Sequence, residues 1–411
     1  MGPRIHKRTA CRLCAGQRLQ RFLHLPDMPL TDELVRLERC GQEVRADIDV
    51  YFCETCKGVQ TLHDIELAEY YRDYRYTVSG SAAAKRFMSR LAEETFRRFG
   101  FGPGDHVIEV GSGDGFQLSC FQKLGARVLG IEPAAHLAAI ARASGVEVLQ
   151  CLCNAETVER ISAEMRPAQV VLLTYTFDHL PDPRGFLQAV AAVLDPQRGV
   201  LVVEVHDLEK IVQRAEACLF EHEHTIYLHR WSIKRLLETA GFGLLTTELL
   251  PETQRRGNSL LVAAALREAE HEPDSSAMDL GASPMDAWGL YADFAGELER
   301  RHARMRQYVR SATTGERRIA GYGAGGRGVM TLAMAGLTDR DIVFLCDCNT
   351  CFHGLYTPAT HIPVVPPERL LEDPVDEVIV FSYGYLAEIR EQLHLYAQRG
   401  GRFVSMLDLL K

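Results

Sequence analysis

The stretch Val107–Leu118, VIEVGSGDGFQL, limits what this chain can fold into more than any other. Val107, Ile108 and Val110 read as a buried strand, Gly111, Gly113 and Gly115 follow at alternate positions, and helix-forming residues come next. A strand passing through glycines into a helix lets backbone N–H groups approach a ligand, because no Cβ holds it away. The spacing is G-x-G-x-G, not the G-x-G-x-x-G of dinucleotide binders, and Glu109 stands just before the turn. Glycines that admit the amino-acid end of a cationic cofactor, with carboxylates balancing its charge, suit S-adenosylmethionine (SAM). The next strand, ARVLGIE, ends at Glu132, where α/β folds place the carboxylate that holds a ribose diol. Glu109, Gly111, Gly113, Gly115 and Glu132 are therefore the expected cofactor-binding set. The plainer alternative is a tight βα turn that binds nothing.

Strands are expected at 107–110, 127–131, 147–150, 169–175 and 199–205, and a helix from 82 to about 100. Strands alternating with helices imply a doubly wound parallel sheet with its ligands at the carboxyl ends of the strands. The last hundred residues repeat the theme. IAGYGAGGRG at 319–328 is again an apolar strand entering a glycine turn, and DIVFLCD ends at Asp347. This second turn admits either a second cofactor or a nucleotide-linked substrate, and Arg327 would then meet a phosphate. The polar, acidic stretch 268–285 reads as a linker, and a long charged helix follows it.

Cys11-x2-Cys14 and Cys53-x2-Cys56 bracket a loop-rich segment. Paired knuckles of this kind present four thiolates to one tetrahedral ion, so Cys11, Cys14, Cys53 and Cys56 are expected to hold zinc. Four thiolates leave no open coordination position, so the zinc is expected to be structural. The fold class is thus α/β in three parts: a small four-cysteine zinc module, a central SAM-binding Rossmann-like domain and a smaller C-terminal Rossmann-like domain. The expected limits are 1–67, 68–267 and 311–411, with the linker and long helix at 268–310.

With 411 residues and a formal charge of −9, the chain lacks the basic surface that non-specific nucleic-acid binding needs. No apolar run reaches the roughly 18 residues that span a bilayer. The N-terminal MGPRIHKRTACRLC lacks an apolar core, so it does not read as a secretory signal. A cytoplasmic, monomeric enzyme with a small-molecule substrate is the expectation.

Chemistry concentrates in Phe220–Tyr227, FEHEHTIY, where Glu221, His222, Glu223 and His224 alternate. Metal binding is one reading, but no third ligand lies at helical spacing and H-E-x-x-H is absent. General base work by an imidazole beside a carboxylate is the favoured one, and a solvated polar loop is the bland one. Tyr76, in the turn before the SAM domain, is a possible pocket phenol, and the fourth and fifth strands deliver Asp178-His179 and His206 to the ligand end.

The order of these pieces resembles the SAM-dependent C-methyltransferases of deoxysugar biosynthesis (the C-3′-methyltransferase type), which act on nucleotide-linked 4-keto sugars. The likeness rests on the four cysteines, Tyr76–Gly80, VIEVGSGDG, DHLPDP with His179, EHEH, YGAGGRG and GLYTPATHIPV at 354–364. It implies that Tyr76, His179, Glu223 and His224 line the sugar pocket with His224 as base, while Glu221 and His222 flank it. Tyr322, Gly323, Arg327 and Tyr383 would meet the nucleotide-linked substrate. The chain departs from the family at Glu221, where a tyrosine is usual, at Arg327 in place of lysine, and at Phe381-Ser382-Tyr383-Gly384. Three other readings stay open: a fused NADPH ketoreductase, an O-methyltransferase, and a non-catalytic SAM-binding scaffold.

Overall fold

A computed structural model of the protein describes residues 5–411 apart from 32, 67–69, 72–79, 162, 253, 255–257 and 279. Strands β1 (Leu19–Pro29), β2 (Arg45–Cys53) and β3 (Val59–Thr61) form an antiparallel meander that carries the cysteine loops. Helix α1 (Ala82–Phe99) follows, capped by the Ser81 hydroxyl, which accepts from the Ala84 N–H, and stopped by left-handed Gly100.

The central sheet holds β4 (His106–Val110), β5 (Arg127–Ile131), β6 (Glu147–Leu149), β7 (Val170–Thr174) and β8 (Val200–Val205), all parallel. These strands are almost wholly apolar, as strands covered on both faces must be. Helix α2 (Phe116–Lys123) leaves the glycine turn after β4. A two-residue strand, β9 (Ile226–Tyr227), crosses back to pair with β3 and so joins the N-terminal sheet; α3 (Arg230–Thr239) follows it.

The purely parallel reading needs one correction. β10 (Phe242–Leu249) and β11 (Leu260–Leu266) form a hairpin that extends the sheet antiparallel beyond β8, giving the order β10-β11-β8-β7-β4-β5-β6. The expected linker at 268–285 is also more than a loop. It lies along the edge strand: Ser276 Oγ accepts from the Thr247 N–H at 3.0 Å, and Leu280 O accepts from Trp231 Nε1 at 2.8 Å. Covering an edge removes a surface open to unwanted pairing.

Helix α4 (Phe294–Thr314) is separated by Asp293 from a single turn at Gly289–Ala292, so the long helix is shorter than its sequence implies. Its apolar face, from Phe294 to Ala312, joins the N-terminal meander to the C-terminal sheet, with the rings of Phe22, Tyr291 and Phe294 in contact. The C-terminal sheet is parallel throughout. Its strands are β12 (Ile319–Tyr322), β13 (Leu345–Cys346), β14 (Val364–Val365), β15 (Glu377–Val380) and β16 (Arg402–Ser405), in the order β14-β13-β12-β15-β16. Helix α5 (Gly326–Ala335) opens after its glycine turn. In both sheets the first strand lies inside, with the chain winding outward on either side, so each has a switch point at the carboxyl end of its glycine-turn strand. Among the described residues, no helix is long and apolar enough to cross a membrane.

Gly328 is the tightest point of the second turn, since a Cβ there would run into the Gly323 carbonyl oxygen. That obstacle is backbone and cannot swing away. Gly328→Ala should therefore cost roughly 1–3 kcal/mol, read as a lower thermal midpoint, whereas Gly102→Ala, where a Cβ meets nothing within 4 Å, should leave it unchanged.

Candidate active site

The carboxyl ends of β4 and β12 face one another across a single cavity of about 680 Å³, a volume in the range of small-molecule sites. Gly111, Gly113, Glu132 and Asn154 line it from the central sheet, Tyr322, Gly323, Arg327 and Asp347 from the C-terminal sheet, and His179, His206, Glu221, Glu223 and His224 between them.

On the central side, Gly111, Gly113 and Gly115 all have positive φ (72°, 53° and 78°), which is why glycine is required there. A Cβ on Gly111 would strike the Thr176 side chain, and one on Gly115 would strike Ala141, so these two glycines serve packing. Gly113 is different. A Cβ there meets no protein atom and would stand in the cavity, so its backbone is open to a ligand. Glu132 Oε2 accepts from the Gly113 N–H at 2.9 Å, and Oε1 accepts from the Ala134 N–H at 2.8 Å. Burial raises its pKa against these bonds, and each oxygen keeps a lone pair for a ribose hydroxyl. Glycine backbone, a carboxylate and an apolar wall from Leu137 and Leu152 fit a SAM nucleoside and its amino-acid tail. Glu109 is buried within β4 and is not on the cavity wall.

The C-terminal side repeats this device with G-x-G-x-x-G spacing at Gly323, Gly325 and Gly328. Asp347 Oδ2 accepts from the Ala324 N–H and Oδ1 from the Asn349 N–H, both at 2.8 Å. Arg327 lies over the Tyr383 ring, 5.5 Å from its centroid, and the Tyr383 hydroxyl donates to Glu216. Burial opposes the Arg327 charge, but Tyr383 and Glu216 more than offset it and hold the guanidinium protonated. Tyr383 thus stands behind Arg327, off the cavity wall.

Between the two turns lies a cluster of imidazoles and carboxylates. His224 Nδ1 is 2.7 Å from the Leu219 carbonyl oxygen. An oxygen acceptor at that distance requires Nδ1 to carry the proton, which leaves the lone pair of the neutral ring on Nε2. The His224 ring packs against those of His179 (4.7 Å between centroids) and His206 (5.4 Å). Asp178 accepts from His206 Nδ1 at 3.3 Å. Burial works against its charge, yet the His206 bond and the nearby imidazoles hold Asp178 far below the usual carboxylate range. Burial, reinforced by His224, lowers His179; burial brings His206 down to about 3. Although burial opposes it, His224 and a hydrogen bond from Glu221 favour the charged form of Glu223. Thr31 Oγ1 lies 3.0 Å from Glu221 Oε2 and 3.4 Å from Glu223 Oε1. Glu221 also fills the space beside Gly326, where a Cβ would collide with its carboxylate.

Of the expected site residues, Glu221, Glu223, His224, His179, Tyr322, Gly323 and Arg327 come together at the cavity, while His222 is turned away. Its Nε2 is 3.1 Å from Met28 O, and its ring packs on His63; the chain bends at 222–223, so His222 and His224 do not share a face. Tyr76 lies outside the described residues. A different phenol, Tyr71, meets His179 Nδ1 at 2.7 Å. Neither Tyr71 nor Thr31 was singled out in the sequence. Tyr71 lies in a short stretch with Tyr70, Tyr74 and Tyr76, but Thr31 carries no local signal. Tyr175 is also held at φ 51° with its ring on His206, the sort of backbone strain that collects at functional sites.

The four cysteine sulfurs lie within 4.8 Å of one another, with Cys11–Cys56 at 3.6 Å and Cys14–Cys53 at 3.7 Å. A tetrahedron with Zn–S bonds of about 2.3 Å has edges near 3.8 Å, so the cluster fits zinc.

A buried histidine whose folded pKa is depressed takes up a proton on unfolding. The stability it contributes is full above its unfolded pKa of about 6.5 and is lost as pH falls toward the folded value, about 4 for His63 and about 3 for His206 and His229. Asp207, raised by burial to about 6, acts in the opposite sense below that pH. Calorimetric unfolding at pH 6.5 in buffers of different ionisation enthalpy should therefore show net proton uptake. Net release there would mean that these rings are charged in the fold.

Comparison with known proteins agrees with this layout. Residues 11–71 match a family model for a candidate zinc binding domain, residues 82–247 one for a methyltransferase domain, and residues 254–407 one for a C-methyltransferase C-terminal domain. The chain is 30% identical to C-methyltransferase NovU of Streptomyces niveus over 399 residues, covering 96% of this chain and 94% of that one. A shorter match is the ubiquinone biosynthesis O-methyltransferase of Xanthomonas campestris pv. campestris (strain B100), 32% identical over 96 residues, 23% of this chain and 40% of the relative. Among solved structures, magnesium protoporphyrin IX methyltransferase (ChlM) from Synechocystis PCC 6803 aligns with a TM-score of 0.35 at 14% identity, covering 47% of this chain and 90% of that one. A four-cysteine module, a glycine-turn cofactor sheet and a C-methyltransferase C-terminal domain, matched from end to end by NovU, place the chain in the family of SAM-dependent C-methyltransferases.

Proposed function

We propose that this enzyme methylates the carbon next to the ketone of a nucleotide-linked keto-deoxysugar, with His224 as the general base. The observation that carries this reading is the 2.7 Å contact between His224 Nδ1 and Leu219 O. It assigns the basic lone pair to Nε2 on a ring that lines the cavity between the two glycine turns. Forming a carbon–carbon bond needs a carbon nucleophile, and an unactivated sugar C–H is far too weak an acid to provide one. A C–H beside a ketone is acidic enough for a neutral imidazole.

Bound SAM would supply an electrophilic methyl group on its sulfonium. Nε2 of His224 takes the α-proton, and the negative charge moves onto the ketone oxygen. His179, or Tyr71 in contact with it, would donate to that oxygen; Tyr76, outside the described residues, is the phenol that the family resemblance names. Asp178 and Glu223, both held anionic, stabilise the imidazolium that forms. Gly113 and Glu132 on one side and Arg327 on the other hold cofactor and substrate, and positioning them supplies much of the rate. Arg327 suits the pyrophosphate of the nucleotide. Glu221, in place of the usual tyrosine, would grip a hydroxyl or amino group of the sugar. NADPH reduction at the second turn is disfavoured, because Asp347 is the wrong charge for a 2′-phosphate.

A panel of thymidine-, guanosine- and cytidine-linked keto sugars with labelled SAM would identify the substrate. With it, His224→Gln should lower kcat by about 10²–10⁴ without weakening SAM binding. The wild type alone in deuterated water should exchange the α-proton, followed by NMR. Methyl transfer without any such exchange would point to a hydroxyl acceptor, and full activity in His224→Gln would remove the base assignment.

A further inference from the structure

The cysteine cluster and the active-site histidines share one hydrogen-bond framework, and we infer that Arg12, next to Cys11, is a positioning residue for His179 and His224. Its side chain is 0% exposed. Nη1 donates to Asp64 Oδ1 at 2.9 Å and to Pro181 O at 3.0 Å; Nη2 donates to Thr61 O at 3.0 Å and His63 O at 3.4 Å. Pro181 lies two residues after His179, and Thr61 ends β3. From β3, the Thr61 N–H donates to Thr225 O at 3.1 Å and Thr61 Oγ1 to His224 O at 3.4 Å, while Gln60 pairs with Ile226. Gln60 closes the circuit on the cysteine side. Its Nε2 donates to Cys11 Sγ, and its Oε1 accepts from the Arg12 N–H, both at 2.8 Å. Two residues, Arg12 and Gln60, therefore connect the metal-binding loop to the backbone on both sides of the imidazole pair.

The geometry also separates positioning from simple stabilisation. Arg12 Nε is buried with no hydrogen-bond partner, and leaving a buried donor unpaired costs stability. An arginine kept only to hold the module together has no reason to accept that cost. One that must span from the cysteine loop to the Pro181 carbonyl does.

The test uses the full-length, zinc-loaded protein with ring-15N-labelled histidine, comparing wild type, Arg12→Lys and Arg12→Met. Arg8 remains to neutralise Asp64 in both variants. The expected result for Arg12→Met is one zinc per chain, unchanged SAM affinity by calorimetry, shifted ring-nitrogen resonances of His179 and His224, and a kcat lower by roughly 10- to 100-fold. Arg12→Lys, which keeps the charge but not the fork, should recover only part of this. Unmoved ring resonances, or loss of zinc from Arg12→Met, would overturn the inference, the latter because the residue would then act on the cluster alone. If Arg12→Met fails to fold, Asp64→Asn loosens the same guanidinium and carries the same readouts. The activity arm rests on the function proposed above, whereas the resonance arm needs no substrate. A wild type inactive on every keto sugar would therefore count against that function and leave this inference to the spectra.

Discussion

Four consecutive ionisable side chains, Glu221 to His224, are buried, and the rest of the site depends on how each one is satisfied. Removing such groups from water is expensive unless hydrogen bonds or opposite charges replace it. Here the replacements come from separate parts of the fold: Thr31 for both glutamates, Met28 O for His222 and Leu219 O for His224. Two of the three partners, Met28 and Thr31, belong to or follow closely on β1, so the N-terminal module is built into the site. Burial lowers His179 and His206 and so favours their neutral rings, and the anionic Asp178 lies against both. The same burial that threatens stability thus supplies the chemistry.

Much of this was legible in the sequence wherever a backbone requirement leaves a residue-type mark. The glycine turns show because positive φ at Gly111, Gly113 and Gly115 admits little else. The five parallel strands show because burial on both faces makes them uniformly apolar. The hairpin β10–β11 was not foreseen, although GLLTTELL and LLVAAAL are equally apolar, because nothing in such a run states its direction. His222 was grouped with His224 because an extended backbone would put residues two apart on one face, but the chain bends at 222–223 and breaks that alternation. Which of the two acids and two histidines face inward depended on where the bent segment joins β3, and that junction is set by pairing across more than 160 residues (Gln60 with Ile226). Thr31 was invisible for the same reason, since its partner glutamates are 190 and 192 residues away.

The two glycine turns offer a sharper lesson about what an acid at the end of the second strand does. Glu132 and Asp347 spend their hydrogen bonds alike, one oxygen on an N–H of the glycine turn and the other on the N–H two residues ahead. Each closes its own turn whether or not a nucleoside is present. Finding such an acid at the expected offset is therefore evidence for the turn's geometry first and for ribose binding only second. What distinguishes the two turns lies beside the acids. The central one exposes the Gly113 backbone to the cavity, room for a zwitterionic tail to lie against peptide groups. The C-terminal one presents Arg327, a fixed cation backed by Tyr383 and Glu216, beside the Glu221 carboxylate packed on Gly326. A cation and a carboxyl group so close on one wall favour a ligand carrying both an anionic group and a hydroxyl or amine that can hydrogen-bond. A nucleotide-linked sugar has both, and a plain dinucleotide cofactor would have to fit its phosphates beside the Glu221 side chain that already fills the space next to Gly326.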